Sequence, residues 1–98
     1  MTDLDEALRL TAAMAEKAEA ADFEPLEALK SRRDAMLRRA LAGEEGSRRE
    51  RYAALCRIRE LDARIVAVLE QERDQAAAAL RRLRSRHQAV SRYLASGA

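Results

Sequence analysis

The sequence predicts an all-α protein: an antiparallel three-helix arrangement with two helices of about 20 residues and one C-terminal helix of about 50. Three observations predict it. Apolar residues recur at steps of three and four along most of the chain, which places them on one face of a 3.6-residue helix. The 98 residues contain only three Gly and one Pro, too few for a sheet with its turns. Apart from Gly97 near the end, those breakers fall at two places, 22–25 and 43–47, and divide the chain into three periodic stretches.

Helix one is expected over about residues 2–21. Thr2 caps it, with Asp5 three residues on as capping-box partner, and acids in the first turn suit the helix dipole. Its face is Leu4, Leu8, Thr11, Ala15 and Ala18, with Leu10 and Met14 beside it. Ala permits close approach of a neighbour but contributes little burial.

Helix two is expected over about 23–42. Asp22 reads as its N-cap, with Glu24 in the first turn, although Pro25 leaves a start at Pro25 open. The stripe is Leu26, Leu29, Met36, Leu37, Ala40 and Leu41, anchored by Phe23. Arg33 falls on that stripe and is expected to snorkel at the bundle edge. Gly43 is expected to end the helix in the left-handed conformation.

Helix three is expected over about 48–96. Ser47 and Glu50 form an S-x-x-E capping box, the most specific local signal in the chain. Tyr52, Leu55, Ile58, Leu61, Ile65, Val68 and Leu69 recur at helical spacing, followed by Ala76, Leu80, Leu83, His87, Val90 and Leu94. About 50 residues span roughly 75 Å, against roughly 30 Å for each short helix. The short helices therefore cover helix three only from about Arg48 to Glu70. The apolar residues beyond need a second copy, a client helix, or a bend near Gln71–Gln75 that folds the tail back, as a bent or fourth helix. The whole chain, 1–98, reads as one helical domain.

Charge is uneven. Met1–Ser47 holds 7 basic and 11 acidic residues, net −4, and Arg48–Ala98 holds 12 and 6, net +6. An anionic partner would suit the basic end, but so does a helix C-terminus, and nucleic acid is not the expected partner. The one cysteine, Cys56, forms no intrachain disulfide and reads as a small core residue. The acidic N-terminus has no leader-like apolar run, and the longest apolar run, 65–69, is far short of a membrane span. The protein is expected to be soluble and cytoplasmic.

Site chemistry points to binding. There is no phosphate loop, no H-E-x-x-H and no C-x-x-C, and His87 stands alone as a packed or interface residue. No catalytic residue, metal or cofactor is expected. The stretch Ile58–Arg73 resembles the first helix of small all-helical chorismate mutases, but it covers about 16 residues and the helices that should follow are missing.

A second resemblance covers nearly the whole chain. It runs through Ala21-Asp22-Phe23-Glu24 at a turn, Leu26-Glu27-Ala28-Leu29 and Arg32-Arg33-Asp34-Ala35-Met36-Leu37. It continues through Ile58–Leu69 with Leu61-Asp62, Glu72-Arg73, and Leu83 to Tyr93. In order and spacing this resembles the FliT family of flagellar type III export chaperones. Ala21 stands where Gly is usual, Phe23 where Trp is common and His87 where Lys or Arg is.

The resemblance implies a chaperone that holds the C-terminal amphipathic segment of the flagellar filament-cap protein. It also implies delivery to the export gate and ATPase complex, and in some bacteria restraint of the master transcription regulator. Helix-in-groove binding uses apolar anchors at i, i+3, i+4 and i+7. The residues expected to serve are Leu55, Ile58, Ile65 and Leu69 with Met36 and Leu37 as groove or core. Leu83, Val90, Tyr93 and Leu94 are expected to form a switchable tail, and the resemblance links Tyr93 to export-gate contact. The alternative is a dimeric helical interaction or regulatory module; either way a homo-oligomer is expected.

Overall fold

A computed structural model describes residues 1–43 and 46–97. Among them are three helices, α1 (Asp3–Glu19), α2 (Leu26–Ala42) and α3 (Arg48–Ala95), and no strand. The chain divides into two compact units, Met1–Val68 and the residues from Leu69 on.

The first unit is a three-helix bundle whose direction follows from its two core clusters. At one end Leu4 and Ala7 of α1 meet Met36, Leu37 and Ala40 of α2 and Ala54 and Ile58 of α3. At the other, Met14, Ala15 and Ala18 meet Leu26 and Leu29 and then Leu61, Ile65 and Val68, with Phe23 packed against them. The start of α1 thus lies by the end of α2, and the start of α2 lies by the later core residues of α3. Consecutive helices are antiparallel, as short connections require. Small residues make this close: Ala7, Ala15 and Ala18 are fully covered.

Both predicted capping boxes form. Asp5 N–H donates to Thr2 Oγ1 at 3.0 Å and Thr2 N–H to Asp5 Oδ2 at 3.1 Å. Glu50 N–H donates to Ser47 Oγ at 3.1 Å and Ser47 N–H to Glu50 Oε2 at 3.4 Å. Each satisfies amides that the first helical turn leaves without acceptors.

The α1–α2 turn departs from expectation. Asp22 does not cap α2. Its N–H donates to Lys17 O at 2.9 Å, while Ala21 N–H donates to Ala18 O at 3.0 Å. This is a Schellman ending of α1. Ala21 takes φ +58°, the left-handed conformation that such an ending requires. The Asp22 carboxylate pairs with Lys17 at 3.5 Å. α2 begins only after Pro25, which has helical φ and ψ and no side-chain cap. Gly43 likewise ends α2 in an extended conformation, φ −106° and ψ 178°, and Gly46 takes the left-handed one at φ +79°.

Two side chains of α2 are corrected. Leu41, expected on the buried stripe, is exposed, because the covered face ends at Ala40. Arg33, expected to snorkel, is 6% exposed and lies inside the bundle.

The second unit is the helical stretch from Leu69 to Ala95, closed by a turn at 96–97. Among its described residues none is buried.

Candidate partner-binding face

The apolar residues of α3 do not form the single stripe that their spacing suggests. Ile58, Leu61 and Ile65 are buried and Ala54 and Val68 are half-buried, at steps of four, three, four and three. Tyr52, Leu55 and Leu69, counted on the same stripe from sequence, are exposed. Continued at the same spacing, the core register reaches Glu72, Gln75, Ala79, Arg82 and Arg86, almost all polar. The apolar residues instead resume one position later: Leu69, Ala76, Leu80, Leu83, His87, Val90 and Leu94. One residue is about 100° around a helix, so this is a different face.

The residues expected to bind a partner therefore fall into two sets. Ile58 and Ile65 are core, and Met36 and Leu37 are half-buried against Leu4, Ala7 and Ile58. Leu55 is exposed and, with Tyr52, Gly46, Arg48 and Arg51, lines an open depression of ≈ 520 Å³. In the second unit Leu69, Leu83, Val90, Tyr93 and Leu94 are exposed. Leu80 belongs with them and was not among the expected residues. Its signal is the seven-residue spacing of Leu80, His87 and Leu94. Exposure from Leu80 to Leu94 runs from 48% to 70% for the five large apolar side chains. Single exposed apolar residues are ordinary on protein surfaces, but a row of them marks an interaction site. His87, expected to be packed or at an interface, is exposed along the same row, and Cys56 in the bundle is half-buried.

Charge frames this row. Glu70, Glu72 and Asp74 precede Ala76–Ala79, and Arg81, Arg82, Arg84, Arg86 and Arg92 follow. Among the described residues of the second unit the ion pair is Arg73–Asp74, at 3.6 Å with both side chains in solvent. Such a pair contributes little.

In the bundle, polar contacts join the three helices around the apolar core. Arg33 Nη1 donates to Asp62 Oδ1 at 2.7 Å, and Arg33 Nε donates to Asp34 Oδ1 at 2.8 Å. Burial opposes the guanidinium charge, but the hydrogen bonds to Asp62 and Asp34 outweigh it and hold the group above its usual range. Arg39 meets Asp3 at 3.5 Å, Arg51 Nη2 donates to Ala40 O at 3.4 Å, and Arg64 pairs with Glu19. Ile58 and Ile65 themselves are held by the apolar clusters that these contacts flank.

Among the described residues there is no cluster of three or more His, Cys, Asp or Glu that could hold a metal ion. No helix there is long and apolar enough to cross a membrane. Fold and surface together define a small helical protein that presents an open apolar helix face. The chain matches the family of flagellar protein FliT over residues 1–95, and it belongs to that family. No curated protein and no solved structure matches it.

Proposed function

We propose that this protein is a cytoplasmic flagellar export chaperone. It holds the C-terminal amphipathic segment of a filament-cap-type client and delivers it to the export gate and ATPase components. One observation carries the reading. Leu80, Leu83, Val90, Tyr93 and Leu94 are all exposed along one helix. Leaving a leucine uncovered forgoes roughly 1.5–3 kcal/mol, so a chain with several such residues has strong reason to bind an apolar helix.

In this reading the first unit is the scaffold, with Ile58, Ile65, Met36 and Leu37 as its structural core. Leu83, Val90, Tyr93 and Leu94 are the contact residues, with Leu69 and Leu55 as outlying apolar contacts. Tyr93 suits a wet interface, since its ring is apolar and its hydroxyl remains solvated. The action is binding rather than catalysis, with no cofactor. Family membership over residues 1–95 favours this over a mutase reading that rests on Ile58–Arg73 alone.

The test is a pull-down with the full chain and the C-terminal fragment of a filament-cap protein. Capture by the wild-type chain, lost in a Leu83→Glu/Val90→Glu variant that keeps its helix content, supports the proposal. Absence of capture by the wild-type chain defeats it.

A further inference from the structure

The last stretch of α3 combines its apolar row with a block of positive charge. Between Asp74 and Ala98 there are five arginines, Arg81, Arg82, Arg84, Arg86 and Arg92, and no acidic residue. All five are exposed, and among the described residues none of them meets a carboxylate. At about 100° per residue, Leu80, Leu83, His87, Val90 and Leu94 fall within roughly 80° of the helix circumference. The arginines surround that sector. Arg82 and Arg86 border one edge with Tyr93 between them, Arg84 borders the other, and Arg81 and Arg92 lie on the back.

Anionic partners of different kinds suit this pattern unequally. A nucleic acid uses the arginines and leaves the leucines in water. An acidic helix laid on the row reaches Arg82, Arg84 and Arg86, but Arg81 and Arg92 stay about a helix diameter away from it. An anionic bilayer uses every feature. Its interface takes up the leucines and the valine, and the bordering arginines run their aliphatic stems along the apolar sector to reach lipid phosphates. Its surface potential decays over about 8–10 Å, far enough to act on the back of the helix as well. Tyr93, at the edge of the sector, has the apolar ring and wet hydroxyl that suit a membrane–water boundary. Glu70, Glu72 and Asp74 lie just before the block, and the same surface repels them.

We propose that residues 80–94 form an interfacial helix that lies flat on an anionic phospholipid surface. Leu80, Leu83, Val90 and Leu94 enter the boundary between headgroups and acyl chains, and the arginines hold the phosphates. No helix among the described residues is long and apolar enough to cross a membrane, so the contact is peripheral and reversible. The proposal goes beyond the chaperone reading and rests on the placement of charge around the row.

Flotation of the full chain with lipid vesicles, in the absence of any client, tests it. One set is phosphatidylcholine alone and the other is two parts phosphatidylcholine to one part phosphatidylglycerol. The wild-type chain is expected to bind the anionic vesicles at least tenfold more tightly, with affinity that falls as salt is raised. Arg82→Gln/Arg86→Gln should lose about tenfold or more on the anionic vesicles. Leu83→Glu/Val90→Glu, with helix content checked by circular dichroism, should lose binding to both sets.

The chain has no Trp, so a single one reports depth. Leu83→Trp emission should shift to the blue on anionic vesicles, whereas Ser85→Trp, on the opposite side of the helix, should not shift. A wild-type chain that ignores the anionic vesicles at low salt overturns the proposal and leaves the row to a client helix. Equal binding to both vesicle sets overturns it too. So does binding by Leu83→Glu/Val90→Glu that equals wild type, which would be adsorption by charge alone. A chain that binds the vesicles but captures no client in lipid-free buffer defeats only the chaperone reading.

Discussion

Arg33 of α2 and Asp62 of α3, 29 residues apart, meet at 2.7 Å with the Arg33 side chain 7% exposed. The same guanidinium nitrogen lies 3.4 Å from the fully buried hydroxyl of Thr11 on α1, which itself donates to Ala7 O at 2.8 Å. One buried cation thus touches all three helices of the bundle and leaves no buried side-chain polar atom unpartnered among the described residues. Removing one partner of such a pair costs more than replacing the charge by a well-packed apolar group. Arg33→Ala is expected to destabilise the bundle by about 2–3 kcal/mol, through lost packing and the loss of the donor to Asp62, while the Thr11 hydroxyl keeps its bond to Ala7 O. Asp62→Ala should cost about 1 kcal/mol, because Asp62 is half-exposed and Asp34 remains. Arg33→Met should lie within about 1 kcal/mol of wild type. Urea unfolding of the three variants ranks them, and Arg33→Met as damaging as Arg33→Ala would show that the charge itself matters.

Asp34 predicts a pH dependence. A hydrogen bond from Lys30 at 2.8 Å holds its carboxyl below the ordinary 3.8, burial pushes the other way, and Arg33 adds to the lowering. The unfolded chain therefore takes up this proton at a higher pH than the folded one. The stabilisation is fully present above the ordinary carboxyl range and is lost as pH falls through the lower folded value. Thr2 lowers Asp5 in the same direction through its backbone and side-chain hydrogen bonds. Urea midpoints across roughly pH 2–7 should fall at the acid end. Asp34→Asn should flatten that fall without abolishing it; an unchanged acid slope would remove Asp34 from the account.

Ala21 carries avoidable strain. Its φ of +58° is the Schellman position where Gly has no Cβ penalty. Left-handed geometry costs an L-residue roughly 1–2 kcal/mol, and the extra flexibility of unfolded Gly returns part of that. Ala21→Gly is expected to stabilise the protein by up to about 1 kcal/mol, seen as a higher melting temperature. A lower one would mean that the turn relaxes in solution.

What was legible in the sequence were features decided within a few residues. The boxes at Thr2–Asp5 and Ser47–Glu50 form because donor and acceptor lie three residues apart. The breaks at 22–25 and at Gly43 and Gly46 follow from local backbone preference. Ala21 in place of the usual Gly was visible, but not the conformation it is held in, because Asp22 also reads as a cap for the next helix. Arg33 read as an edge residue because its partners, Thr11 and Asp62, are remote in sequence and only the packed bundle brings them to it. The α3 stripe read as continuous because Leu69 fits both registers at that point. Which of its apolar residues were core depended on where the two short helices end, information carried by α1 and α2 rather than by α3.

That split yields the most discriminating comparison. Ile58 is buried against Leu4 and Ala7, whereas Leu83 is 59% exposed. Ile58→Ala should open a cavity and cost about 2–4 kcal/mol, a large part of the stability of so small a bundle. Leu83→Ala opens no cavity and keeps a good helix former, so the melting temperature measured at low concentration should hardly move. Binding reverses the order if the face beyond Leu69 is what a partner recognises. At a temperature where Ile58→Ala is still folded, it should capture a filament-cap fragment nearly as well as wild type. Leu83→Ala should lose about tenfold in affinity, the typical loss when an interface anchor is truncated. The opposite pattern, with binding that follows the stability of the bundle and ignores Leu83, would move the client site to the first unit. Tyr52 and Leu55 around the open depression would then be the residues to mutate next.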